Sequence, residues 1–460
     1  MIREEAIAIL ELPREEAIET ILDLAQKAEK YDQLIRADVA TPSGQRPTYA
    51  KETKRNKQKK PGRKKGHPGC RREVPAHIDH YQKHRLEICP HCQTKVEPGI
   101  KAYTRYIEDI PPIRPEVTEH TIYKHWCSRC GDYVTAPVTD AMENANLSLR
   151  LVVLAAWLHY AIGISVRNVA KIFNVVCSFP VSPGGLTLAW FRLAELIRSE
   201  YDAIQERIRH SAALHADETG WRLAGDNYWL WAFCTKEYCY YTITKCRGSP
   251  VVEQVLGTLF NGVLICDFWG AYNRIKALAK QRCYYHLFTE LVKVDKTNTS
   301  MEWKAFRKKL KRLLKDALRL RDQRQILAST SYESRKKRLH QRLEMLIEVD
   351  GKDKDVKRLI KRLKRHQGEL LTFLDHDVSP YNNHAEQQMR PAVISRRMSQ
   401  QNRSEAGAQT QAILMSLFRT AVLQGLNPVE YVKELGETAI KRRHLQKYTG
   451  NEQDEMKMVA

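Results

Sequence analysis

Apolar positions change their period several times along this chain, and each change predicts a different element. After Pro13, residues Ala17, Ile21, Leu24, Ala28, Tyr31 and Ile35 recur in steps of four and three, the seam of a helix over 1–40. About three heptads fit either a short coiled coil or a helix packed on its own protein. Between 81 and 140, "YTRYIEDI" and "VTEHTIYKHW" read as strand-like pieces. Residues 147–200 read as three helices, with Ser182 as N-cap and Pro183 in the first turn ahead of "GGLTLAWFRLAELIRSE". Short aromatic and β-branched runs follow in "SAALHADETGW", "NYWLWAFC" and "YCYYTIT", which predict three antiparallel strands. "PVVEQVLGTLF" then has helical periodicity, "GVLICD" reads as a buried strand, "AYNRIKALAK" as a helix and "RCYYHL" as a strand.

The resulting order, βββαβαβ, is that of a ribonuclease H-like sheet. Long helices rich in Lys, Arg and Leu, such as "WKAFRKKLKRLLKDALRLRDQ", break that rhythm and keep one apolar and one basic face. The predicted fold is a multidomain α+β chain. An N-terminal helix (1–40), a basic flexible linker (41–80), a zinc ribbon (81–140) and a helix-turn-helix-like helical domain (141–210) precede the sheet. A ribonuclease H-like α/β core (211–290 and 375–425) is interrupted by a basic helical insertion (291–374) and followed by a tail (426–460). The helical domain reads equally as a DNA reader or as simple helical packing.

Charge narrows the function. The 460 residues carry 76 Lys and Arg against 54 Asp and Glu, a formal net charge of +22, which points to a polyanion and first to nucleic acid. Residues 51–72 concentrate eleven basic residues with almost nothing apolar, among them Lys59, Lys60, Arg63, Lys64 and Lys65. Such an arm gains affinity by displacing counterions from phosphates. Acids within the first residues of "MIREEAIAILELPREE" do not fit a secretory signal. The apolar run from Leu151, "LVVLAAWLHYAIGISV", is short for a membrane span, so no membrane partner is expected. Eleven cysteines then suggest a reducing compartment and a metal site. Cys89–Cys92 and Cys127–Cys130 are two CxxC knuckles separated by 34 residues, the pattern of a closed, structural Zn²⁺ site.

Two acids close strand-like runs, Asp217 in "ALHAD" and Asp267 in "VLICD". Neighbouring carboxylates there repel each other and attract Mg²⁺, a hard ion that takes oxygen ligands. Glu386 follows a helix start at Asn382 or Asn383, where it completes a two-metal site or merely serves the helix dipole. Glu218, adjacent to Asp217 on a strand, should face the other way.

These residues resemble the insertion sequence 66 transposases of the DDE class. The resemblance rests on His215-Ala216-Asp217-Glu218-Thr219, on Asp267-Phe268-Trp269-Gly270-Ala271-Tyr272-Asn273, on Cys283 with His286, and on Asn382-Asn383-His384-Ala385-Glu386 followed by Arg390-Pro391. It covers roughly 86–435. Phe268, Gln387 and the stretch Leu287–Glu290 depart from the family pattern. The resemblance implies a transposase with two Mg²⁺ on Asp217, Asp267 and Glu386 that nicks element ends and transfers the freed 3′-hydroxyl to target DNA. His286 and Asn383 would be auxiliary, and Arg390, Arg396 and Arg397 would contact phosphates. It also implies double-stranded DNA as partner (terminal repeats and target), a homo-oligomer, possible accessory transposition proteins, and a cytoplasmic, nucleoid-associated setting in bacteria. The rival reading is a non-catalytic zinc-ribbon DNA-binding protein derived from a transposase.

Overall fold

The computed structural model describes residues 13, 15–23, 25, 73–399 and 402–449. Residues 15–23 are helical, while the seam positions Leu24, Ala28, Tyr31 and Ile35 and the basic residues Lys59, Lys60, Arg63, Lys64 and Lys65 lie outside the described residues.

The described residues form seven strands, β1 (Lys124–Cys127), β2 (Asp132–Thr135), β3 (Ala213–Leu223), β4 (Asp226–Cys234), β5 (Cys239–Thr244), β6 (Leu259–Cys266) and β7 (Lys276–Arg282). The first two form a hairpin on their own. The others make one mixed sheet in the order β5-β4-β3-β6-β7, with β3, β4 and β5 antiparallel and β6 and β7 parallel to β3. Ala224 and Gly225 link β3 to β4 with φ of 49° and 92°. Two consecutive left-handed residues give the tight hairpin whose twist matches its strands.

Among the described residues, four helices lie between the hairpin and the five-stranded sheet: α1 (Leu149–Tyr160), α2 (Val166–Val176), α3 (Pro183–Leu196) and α4 (Arg198–Arg209). Serine hydroxyls cap the first three, with Ser148, Ser165 and Ser182 accepting from the amides of Leu151, Asn168 and Gly185. α5 (Ser249–Leu256) links β5 to β6. After the sheet come α6 (Tyr284–Asp295), α7 (Met301–Asp322), α8 (Ser329–Ile347), α9 (Lys354–Arg365), α10 (Asn383–Ser399), α11 (Glu405–Leu423) and α12 (Pro428–Thr449).

The described residues hold two hydrophobic cores. One joins α1–α5, the sheet and α10–α12, so the helices before the sheet share its interior. The other, built on Trp303, Leu310, Leu314, Leu343 and Leu359, belongs to α6–α9 and the turns that follow them. β5 is an edge strand, and edges invite unwanted pairing. Here α11 covers it: the amides of Cys239 and Tyr241 donate to the hydroxyls of Thr420 and Ser416, at 3.1 and 2.9 Å.

Four expectations change. "KALAKQR" is strand β7, not helix, and its crossover from β6 contains a 3-10 turn at Gly270–Tyr272. Pairing with β6 overrides the helix preference of its Ala, Leu, Lys and Arg. The strand expected at "RCYYHL" is mostly α6, because Tyr284, Leu287, Leu291 and Val294 recur at helical spacing and are buried. Within the expected tail, 428–449 is helical and packs on α1 and α11, with Val432 fully buried. Residues 96–123 carry no regular element, so of the two strand-like pieces there only the end of the second enters β1. No described helix is long and apolar enough to cross a membrane.

Candidate active site

The parallel pairing of β3 with β6 aligns Ala213, Leu214 and His215 with Val263, Leu264 and Ile265. Continued two places, that register brings Asp217 level with Asp267. Asp217 therefore does not end its strand: β3 runs on beside β4 to Leu223, and Asp217 stands just beyond the last residue paired with β6. Burial is the main cause that pushes its carboxyl well above the usual carboxylate range, followed by the charges of Glu218 and Asp267, while His286 pulls it down.

Glu218 leaves the strand on the opposite face. Its carboxylate accepts from the Tyr272 hydroxyl at 2.7 Å and from Arg247 at 3.0 Å. The Arg247 guanidinium lies over the rings of Trp269 and Trp229, 3.9 and 4.2 Å from their centroids. Burial and Asp267 raise Glu218 to about 7 against the opposing pull of Tyr272 and Arg247.

Asp267 follows β6 directly. Its Oδ1 accepts from the Trp269 amide at 2.8 Å, and its carbonyl accepts from Arg282 at 2.7 Å. Arg282 is fully buried, paired with Glu369 at 2.6 Å and bonded to Asn273 at 2.9 Å. The end of the second core thus braces the end of the strand that presents Asp267.

Glu386 lies in the first turn of α10, a helix packed on β3 and β4. Asn382 docks that turn: its carbonyl accepts from the Glu386 amide at 3.2 Å, and its Nδ2 donates to the Ala216 carbonyl at 2.8 Å. Its Oδ1 lies 3.1 Å from His215 Nδ1, and its own amide donates to Cys283 Sγ at 3.2 Å. The asparagine at the helix start therefore ties α10 to β3 and to the start of α6. Asn383, the expected auxiliary residue, is exposed.

His286 stands between the acids. Burial disfavours its charged form, but Cys283, Asp267 and Asp217 outweigh that and raise the imidazole to about 9. Cys283, His286 and Glu386 offer donor atoms that all lie within 4.8 Å of one another, the one such group of three among the described residues. Asp217 and Asp267 reach Glu386 through His286 and not by direct clustering. Two buried atoms here have no hydrogen-bond partner, His286 Nδ1 and Glu386 Oε1.

The arginines beyond Glu386 divide. Arg390 and Arg397 are exposed, whereas Arg396 donates to Thr219 Oγ1 at 3.1 Å and to the Gly220 carbonyl, fixing α10 against β3. Cys89 with Cys92, and Cys127 with Cys130, form two separate thiol pairs, which the described structure does not draw into one four-sulfur cluster. Hydrogen bonds from Thr94 lower the Cys92 thiol to about 7, a setting that suits metal ligation.

Local patterns pointed to the three acids but not to Asn382 as a tie, nor to Arg247, Arg282 and Glu369. Arg282 and Glu369 lie 87 residues apart, so no short window could pair them.

Residues 125–410 match the family model of the IS66 family transposases, and residues 87–131 match the zinc-finger binding domain of IS66 transposase. The zinc-finger match supports structural zinc. An uncharacterised protein of Sinorhizobium fredii, y4qI, is 25% identical over 268 residues, 51% of this chain and 49% of that protein, so the match spans about half of each. With a family model covering well over half of its length, from β1 to α11, this chain belongs to the IS66 transposase family.

Proposed function

We propose that this protein is an active DDE transposase, whose ribonuclease H-like core holds the catalytic carboxylates Asp217, Asp267 and Glu386. One observation carries the reading: acids from β3, from the end of β6 and from α10 all face His286. The donor set fits hard divalent cations. Asp217 is partly buried beside two further acids, and Glu386 keeps a buried oxygen without a partner, so the cluster holds more acid than His286 alone can balance. Two Mg²⁺ held by these carboxylates would polarise a phosphodiester, activate the attacking oxygen and stabilise the leaving one.

The chain's own groups supply the rest. Asn382 and Arg396 hold Glu386 in register with Asp217 by docking α10 on β3. The Trp269 amide orients the Asp267 carboxylate. His286, charged at neutral pH, balances Asp217 and Asp267 until cations arrive and can contact a phosphate afterwards. Exposed Arg390 and Arg397 supply positive charge beyond Glu386 for DNA phosphates, and the arm at 51–72 adds affinity without reading sequence. The two thiol pairs hold one structural Zn²⁺ once folded together.

The test is a reaction with element-end DNA, a target plasmid and Mg²⁺. The reading expects ends joined to target. Cleavage of branched DNA without joining would indicate a structure-selective nuclease on the same sheet, and binding without cleavage a non-catalytic DNA-binding protein.

A further inference from the structure

We propose that Cys283, His286 and Glu386 form a second type of metal site, one that takes a soft divalent cation, Zn²⁺, and thereby withdraws Glu386 from the hard-ion site. A thiol, an imidazole and a carboxylate within 4.8 Å of one another are the mixed set that Zn²⁺ prefers and Mg²⁺ does not. Zn–S and Zn–N bonds of about 2.3 and 2.0 Å put the edge of a tetrahedral site at roughly 3.5 Å, which side-chain rotation reaches.

Further observations point into the same cluster. His286 Nδ1 and Glu386 Oε1 are buried and unpartnered, so donor capacity is directed at the space between them. Cys283 occupies the N-cap of α6 and accepts from the Asn382 amide, so its sulfur is held at the cluster beside the positive end of the helix dipole. Three protein ligands leave a fourth position open. Glu386 cannot serve both ions in full, so zinc there suppresses Mg²⁺-dependent cleavage. That last consequence rests on the catalytic reading, whereas zinc binding itself does not.

The experiment measures zinc per chain in the full-length protein after loading with Zn²⁺ and exhaustive dialysis, with circular dichroism to verify folding. The parent should retain one zinc more than Cys283→Ser, and His286→Asn should lose the same zinc while leaving the buried sulfur in place. Glu386→Gln should bind it at least ten-fold more weakly. Cys92→Ser should lose a different zinc, that of the knuckles. Co²⁺ should give a thiolate-to-metal absorption that survives Cys92→Ser and disappears in Cys283→Ser. Equal zinc in the parent and in a folded Cys283→Ser or His286→Asn overturns the proposal. In cleavage assays, added Zn²⁺ should inhibit the parent and spare Cys283→Ser. Should no cleavage be found at all, stoichiometry still decides the metal site.

Discussion

Glu218 and Asp217 are adjacent in sequence, yet the pleat of β3 gives them different partners. Glu218 accepts hydrogen bonds from Arg247 and Tyr272, whereas Asp217 is held between the charges of neighbouring acids and His286. Burial first, and Asp267 second, raise Glu218 from 4.5 to about 7. A carboxyl raised in the folded state binds protons more tightly there than in the unfolded chain. Its contribution to stability is therefore complete below pH 4.5 and lost as the pH rises to about 7. Thermal melts of metal-free protein across that window should show the decline, and Glu218→Gln should make it shallower. An unchanged slope in the variant would mean that Glu218 does not carry the effect.

Between β3 and α10, one buried side chain does much of the joining. Asn382→Ala removes the contact with His215 and leaves the Ala216 carbonyl unpaired, a loss of about 1–3 kcal/mol for an unsatisfied buried group. A denaturant midpoint lowered accordingly, with DNA cleavage reduced further because Glu386 loses its register, is the expected outcome. Elements were legible where pattern and packing agree. Ser182 and Pro183 announced α3, and the aromatic alternation from Ser211 announced the meander of β3, β4 and β5. They were illegible where tertiary pairing overrides composition. β7 is written in helix-forming residues and exists because β6 lies beside it. The site followed the same division: Asp217 and Asp267 stand out as acids beside apolar runs, and Glu386 as an acid just after a helix start at Asn382 or Asn383. Asn382, Arg282 and Glu369 matter through contacts that span up to 167 residues, which no local window contains.

At the scale of the molecule, two hydrophobic cores meet at the site. The second core braces it through Glu369 on Arg282, whose guanidinium also holds the Asp267 carbonyl. Leu314, fully buried in that second core, tests the division. Leu314→Ala should cost about 2–5 kcal/mol and lower only one of two calorimetric transitions, while a single shared transition would show that the cores unfold together. The central claim is that Asp217, Asp267 and Glu386 act as one ion-binding set. Nicking rates on element-end DNA with Mg²⁺, compared among the parent, Asp217→Asn, Asp267→Asn, Glu386→Gln and Glu218→Gln, test it most directly. The account predicts losses of about 100-fold or more for the first three variants, as when a transition-state charge loses its stabiliser, with Glu218→Gln within about ten-fold of the parent. Parental rates in any of those first three would contradict it.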